Sequence, residues 1–114
     1  MGYTSEEGYQ EALKRIQEAK RIEDFELRLK GLGLTSIPSE LWELEELKHL
    51  HLNENNLTYI PNSLKKLKKL TYLDLSNNLL NSIPDEIKSL SYLTSLYLEH
   101  NHFTEIPKSI TDLN

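Results

Sequence analysis

Residues 70–80, with the sequence LTYLDLSNNLL, decide the fold of this chain. Apolar and polar residues alternate along this stretch, so Leu73 and Leu75 share one face of a short strand while Tyr72 and Asp74 share the other. Such alternation is typical of a strand with one buried face. We therefore expect the leucines to point into a core and the residues between them to face outward.

The same pattern recurs with a period of 23 residues from Leu27 to Leu113. The apolar columns at this spacing are Leu27, Leu50, Leu73 and Leu96; Leu29, Leu52, Leu75 and Leu98; Leu34, Leu57, Leu80 and Phe103; and Ile37, Ile60, Ile83 and Ile106. A proline follows each isoleucine, at Pro38, Pro61, Pro84 and Pro107. This repeat predicts a solenoid, because a single coil cannot bury its own leucines and neighbouring coils must stack.

Each repeat has a second half with a different spacing. After the proline, apolar residues lie three apart, as in Leu41, Leu44 and Leu47, which favours a helical or 3-10 return segment. Proline suits the first position of that segment, because its missing N–H costs little there and its fixed φ helps the chain turn. We expect the strands to lie side by side in a parallel sheet on one edge of the solenoid.

A column of asparagines follows the strands, at Asn55, Asn78 and Asn101. The position points toward the packed interior, where a polar side chain needs hydrogen-bond partners. Carboxamides can donate and accept, so stacked asparagines can satisfy backbone N–H and C=O groups of their own and neighbouring coils. The column predicts a structural asparagine ladder.

With these columns in place, residues 70–80 resemble the leucine-rich-repeat signature LxxLxLxxNxL. The IPxxL continuation is similar to the 23-residue class of intracellular signalling scaffolds and bacterial repeat proteins. This resemblance covers about residues 24 to 113. It implies an α/β fold, a right-handed solenoid with a short parallel sheet on the concave face and helical or 3-10 returns on the convex face. The first unit departs from the signature, with Leu32 in place of asparagine and Asp24 in place of the opening leucine.

Residues 1–23 are predicted to form an N-terminal capping helix, and residues 24–114 to form about four repeat units. The helix spans residues 4 to 22, with a capping box in which Thr4 caps and Glu7 reaches back. Its apolar stripe is predicted from Tyr9, Leu13 and Ile16, with Ala12 and Ala19. A partner-binding or membrane helix is the alternative to an end cap.

The other end of the chain suggests a different kind of surface. The sequence stops at Asn114, within the return segment of the fourth unit, and we expect no C-terminal cap. The last coil would then have an uncovered side and an exposed edge strand. Either the chain is a fragment of a longer array, or this end meets another molecule. Self-association as a homodimer is one hypothesis, through Leu96, Leu98 and Phe103.

Charge and composition restrict the classes of partner. The chain has 13 Lys and Arg against 18 Asp and Glu, a formal charge of -5, which disfavours nucleic acid as a partner. Cysteine is absent, which excludes disulfides and thiolate metal sites and suits a reducing compartment. Neither a signal peptide nor an apolar run of membrane-spanning length is present. These features predict a cytoplasmic protein without a membrane span.

The outward-facing residues between the leucines form the candidate binding surface. The resemblance implies a protein-binding module, and tyrosine is a favoured residue at the centre of protein interfaces. The predicted partner-binding residues are His49, His51, Tyr72, Asp74, Tyr97, Glu99 and His100. The alternative is that each of them is a tolerated solvent-facing residue.

No residue pattern points to catalysis or to a cofactor. The sequence lacks GxSxG, HExxH and phosphate-cradling glycine loops, so we expect no enzyme and no cofactor. His49, His51 and Asp74 are residue types that ligate zinc or nickel. Side chains two residues apart on a flat strand diverge, however, and no fourth ligand is evident, so no metal site is expected. Lys65, Lys66, Lys68 and Lys69 are interpreted as a solvated face, with an acidic partner or membrane surface as the alternative.

Overall fold

The computed structural model describes residues 2–104 of the chain. One helix, α1 (Ser5–Ile22), precedes four strands: β1 (Glu26–Arg28), β2 (His49–His51), β3 (Tyr72–Asp74) and β4 (Ser95–Tyr97). Three 3-10 helices join them, at Ser39–Glu43, Asn62–Lys66 and Asp85–Ser89. Residues 105–114, which include Ile106 and Pro107, lie outside the described residues. The prediction that the chain has no C-terminal cap concerns these residues.

The strands form one parallel sheet in the order β1-β2-β3-β4. The register pairs residues that are one repeat apart, so Leu27 lies beside Leu50, Leu50 beside Leu73, and Leu73 beside Leu96. The ladder continues past each strand, where Leu52 N–H donates to the Asp74 carbonyl at 2.9 Å. The coils are therefore stacked in register, and the predicted α/β solenoid with a short parallel sheet is confirmed.

The apolar columns form one continuous core between the sheet and the returns. The leucines of β2 and β3 are completely buried, and so is Leu41 of the first return. Trp42 lies next to it and is also buried. At about 25 cal/mol per Å² of apolar surface removed from water, these repeated leucines supply the main driving force for stacking the coils.

Each of the three returns within residues 2–104 is a 3-10 helix, and its proline lies one residue before the position predicted from the sequence. Pro38, Pro61 and Pro84 occupy the cap position and not the first helical position. Their carbonyls accept the N–H of the third following residue at 3.1 Å, which closes the first 3-10 turn. The ring still fixes φ at the turn, and each of these three 3-10 helices is five residues long.

Helix α1 packs on the first coil with a face of three small residues and one isoleucine. The predicted capping box is confirmed, because Glu7 N–H donates to Thr4 Oγ1 at 3.1 Å and Thr4 N–H donates to Glu7 Oε1 at 3.0 Å. The buried residues of the helix are Gly8, Ala12, Ile16 and Ala19. The predicted stripe is confirmed at Ala12, Ile16 and Ala19, and Tyr9 is half-buried and packs against the same core. Leu13 is half-buried and is not part of that core, and the sequence prediction did not include Gly8.

Gly8 allows an unusually close approach between α1 and the first coil. A Cβ atom at this position would lie 1.6 Å from the backbone oxygen of Leu32, far inside the 3.0 Å below which Cβ contacts essentially never occur. Leu32 occupies the place that asparagine takes in later units, and its side chain is buried beneath the helix. The contact with α1 thus explains why the first unit has leucine and not asparagine at position 32.

The outer edge of β1 is partly covered from the same helix. Arg15 Nη1 donates to the Arg28 carbonyl at 2.9 Å. The guanidinium is held in place because Arg15 Nε also donates to Glu11 Oε2 at 2.8 Å. An edge carbonyl that is already hydrogen-bonded is less able to pair with a foreign strand. Among residues 2–104, no helix combines the length and apolar character needed to cross a bilayer.

Candidate functional site: the outer face of the sheet

The outward-facing side chains of the four strands make up what we call the sheet face. It consists of two rows fixed by the strand register: Glu26, His49, Tyr72 and Ser95, and Arg28, His51, Asp74 and Tyr97. The residue between them in each strand is a leucine, buried in β1 to β3 and half-buried against the core in β4, so the rows cannot turn inward without breaking the core. Neighbouring members of a row are about 4.8 Å apart along the sheet.

Side chains on the sheet face contact one another across the two rows. His51 Nε2–H donates to Glu26 Oε2 at 2.8 Å, and the His51 ring lies 5.0 Å from that of Tyr72. Tyr72 in turn lies 5.4 Å from Tyr97, measured between ring centroids. The contacts therefore form a zigzag from β1 to β4. Glu26 belongs to this zigzag but was not among the residues predicted from the sequence.

The β1 side of the sheet face carries charges that are paired. Arg28 Nη2 lies 3.1 Å from Glu26 Oε2, and Lys30 Nζ lies 3.4 Å from Glu54 Oε2. The hydrogen bond from His51 lowers the pKa of the Glu26 carboxyl below its ordinary value, and the charge of Arg28 lowers it further. Glu26 is therefore held ionised as the shared acceptor of His51 and Arg28.

The β4 side is acidic and aromatic. Asp74 Oδ1 accepts hydrogen bonds from Ser76 N–H at 3.0 Å and from Ser76 Oγ–H at 2.7 Å. Within residues 2–104, no Lys, Arg or His forms an ion pair with Asp74 or Glu99. Burial raises the pKa of the Tyr72 hydroxyl, and the negative charges of Asp74 and Glu99 raise it further. Tyr72 therefore stays neutral under all ordinary conditions.

The structure brings most of the predicted partner-binding residues into one patch. Tyr97 is 41% exposed and His49 is exposed, whereas His51, Tyr72 and Asp74 are half-buried. Glu99 lies two residues beyond Tyr97 on the same side of the chain. His100 lies at the rim in a turn with φ 60°, and the same left-handed conformation occurs one and two repeats earlier, at Asn77 and Glu54. Gly31 is the first member of this column and also has a positive φ. A column that contains both glycine and asparagine is the sequence signal for this left-handed turn.

The asparagine column hydrogen-bonds to the backbone of two adjacent coils. Asn78 Nδ2 donates to the carbonyls of Leu75 in its own coil at 3.1 Å and Leu52 in the previous coil at 3.0 Å. Asn78 Oδ1 accepts the N–H of Leu57 at 3.1 Å. Asn55 Oδ1 accepts two N–H groups, from Leu32 and Leu34. These bonds hold the strand ends that carry the sheet face.

The last described coil is less well covered than the coils before it. Leu96, Leu98 and Phe103 are half-buried, whereas the equivalent residues one repeat earlier are completely buried: Leu73, Leu75 and Leu80. The lysine cluster in and after the second 3-10 helix is exposed at all four positions, Lys65, Lys66, Lys68 and Lys69. The Nζ atom of Lys69 lies 2.6 Å from Glu46 Oε1. In the described part of the chain, no three His, Cys, Asp or Glu side chains are grouped to hold a metal ion.

Comparison with known proteins identifies similarity to leucine-rich repeats. The leucine rich repeat family model matches residues 26–80 and residues 61–103. Among solved structures, a leucine-rich-repeat protein of Leptospira interrogans is 43% identical to this chain, with a TM-score of 0.63. The match covers 68% of this chain. The chain spans only 20% of that protein's chain. Comparison with curated proteins gave no match.

Proposed function

Because the chain belongs to the leucine-rich-repeat family, we propose that it is a non-catalytic protein-binding module whose partner docks on the sheet face. Leucine-rich repeats commonly bind proteins, and stacked repeats provide an extended surface for this purpose. The observation that carries the proposal is the pair of tyrosines, Tyr72 and Tyr97, in contact at the centre of the acidic side of this face. Rigid aromatic side chains dominate the binding energy of many interfaces.

The rigidity of the sheet face supports the proposal. The strands are hydrogen-bonded to one another, and the zigzag contacts hold the imidazole of His51 and the ring of Tyr72 in place. Side chains that are already ordered lose little conformational entropy when a partner binds. The short connections support a non-catalytic role, because 3-10 helices of five residues and strands of three leave little loop to carry a catalytic group.

Position-specific photo-cross-linking tests where a partner docks. A photoreactive phenylalanine analogue at Tyr97 is expected to form a discrete covalent adduct with a protein in extract of the source organism. The same analogue at Tyr59 or Tyr92 is the matched control, because these tyrosines are 56% and 65% exposed and lie outside the sheet strands. Adducts that form equally from positions 59 and 92, or that fail to form from position 97, would contradict docking on the sheet face.

A second candidate function is self-association through the last coil, and the half-buried Leu96, Leu98 and Phe103 favour it. Two such apolar surfaces would bury each other around a two-fold axis. Sedimentation at high concentration is then expected to show a dimer that Leu98→Lys or Phe103→Glu dissociates. Leu79→Lys is the control, since Leu79 is exposed on another coil. A monomer at every concentration in the parent chain would exclude this second function.

A further inference from the structure

The acidic side of the sheet face has a charge that its own residues do not neutralise. We call Tyr72, Asp74, Tyr97 and Glu99 the acidic-aromatic patch. In contrast to the β1 side, where Arg28 pairs with Glu26, both carboxylates of this patch lack a cation within residues 2–104. A partner that supplies a positive charge would complete the pairing that the β1 side makes internally.

The strand register places both carboxylates beside the same aromatic ring. Asp74 is the residue opposite Tyr97 in the β3–β4 pair, at about 4.8 Å along the sheet. Glu99 follows Tyr97 by two residues, about 6.6 Å along the strand direction. A group that lies over the Tyr97 ring is therefore within reach of both negative charges.

The Asp74 carboxylate is oriented for an additional ligand. Ser76 donates two hydrogen bonds to Oδ1, while Oδ2 has no hydrogen-bond partner among the described residues. A carboxylate that is fixed through one oxygen presents the other in a defined direction, which favours a charge-assisted hydrogen bond from a donor above the sheet.

The two tyrosine rings provide the remaining contact. Their planes are inclined by 49° with centroids 5.4 Å apart, so the rings do not stack flat on one another. Tyr97 remains 41% exposed and offers surface to an incoming group. A cation over an aromatic ring is attracted to its negative face, and the planar guanidinium of arginine also stacks on the ring. The raised pKa of Tyr72 keeps its ring neutral and its hydroxyl available as a donor.

We propose that the acidic-aromatic patch binds an arginine side chain of the partner protein, with the guanidinium over Tyr97 and its N–H groups directed to Asp74 and Glu99. Lysine satisfies the same charge but cannot stack or form paired hydrogen bonds, so it binds more weakly. This inference rests on the proposed role of the sheet face in protein binding, and it specifies the chemistry that the partner must present.

A titration with small amides followed by NMR tests the inference directly. Acetyl-arginine amide is expected to shift the ring resonances of Tyr72 and Tyr97 saturably, and acetyl-lysine amide to do so with lower affinity. Acetyl-citrulline amide is the matched probe, because it has the shape of arginine without the charge. An equal response to citrulline, or no saturable shift with arginine, would overturn the inference.

Charge-neutralising variants provide the second arm of the test. Asp74→Asn with Glu99→Gln is expected to weaken arginine-amide binding at least about fivefold, since two carboxylates and a ring share the cation. Glu40→Gln with Glu45→Gln removes the same charge from exposed positions outside the patch and is expected to leave the affinity unchanged. Unchanged affinity in the Asp74 and Glu99 variant would overturn the arginine site. Cross-linking from position 97 would still test the protein-binding role separately.

Discussion

The variant Gly8→Ala is expected to lose about 3 kcal/mol of unfolding free energy, although the same exchange stabilises most helices. Alanine is favoured over glycine in an exposed helix interior by about 1 kcal/mol. Here the added methyl would lie 1.6 Å from the Leu32 oxygen, a backbone atom that cannot move without shifting the first coil. Overpacking of this kind usually costs about 1–3 kcal/mol and more where the backbone is involved. The two effects have opposite signs, and packing dominates.

Chemical denaturation measures this loss. The control is Gly2→Ala, because a Cβ atom at Gly2 meets nothing within 4 Å, and its midpoint is expected to match that of the parent chain. A Gly8→Ala variant as stable as the parent, or more stable, would show that α1 does not approach the first coil so closely.

The variant Asn78→Leu is expected to cost about 2–4 kcal/mol, because it leaves a buried N–H group of Leu57 without its acceptor and removes bonds that join two coils. The carbonyls that Asn78 serves are less affected. The Leu52 carbonyl keeps the bond from Asn55, and the Leu75 carbonyl keeps the bond from Asn101. The orphaned donor is therefore the main cost.

The ladder predicts an order among its members. Asn55 accepts from two backbone donors, whereas Asn78 accepts from one, so Asn55→Leu is expected to cost more than Asn78→Leu. Thermal unfolding of both variants tests the order. Asn81→Leu is the control, because Asn81 is an exposed residue of the same loop and its replacement is expected to change stability by no more than about 0.5 kcal/mol. A melting curve unmoved by Asn78→Leu would refute the ladder's contribution to stability.

Much of the fold could be predicted from the sequence because equivalent positions recur in equivalent environments. The alternation around Leu73 identified a strand, and the three-residue spacing after Pro61 identified the return. Helix α1 has no such repetition. Its predicted stripe included Leu13, which lies outside the core, and did not include Gly8, which makes the closest approach to the first coil. The distance between a helix and its neighbouring coil depends on how the two pack together. The pattern of apolar residues along the helix does not determine that distance.

The sheet face was predictable as a set of columns but not as a set of contacts. Register places His51 beside Arg28 and Asp74, yet its hydrogen bond crosses the rows to Glu26. Which diagonal neighbour a side chain meets depends on its rotamer, and the sequence does not fix rotamers. An imidazole and a carboxylate at diagonal positions of neighbouring strands were the available signal.

The central claim is that a partner protein is recognised through the sheet face. Its most direct test is to measure how tightly two double variants bind the partner identified by cross-linking. Calorimetry is expected to show that Tyr72→Ala with Tyr97→Ala weakens binding at least about 30-fold, because truncating a central aromatic residue costs about 2 kcal/mol or more. Tyr59→Ala with Tyr92→Ala removes two exposed tyrosines from outside the sheet strands and is expected to leave the affinity within about threefold. Equal loss in the two variants, or loss only in the second, would contradict recognition through the sheet face.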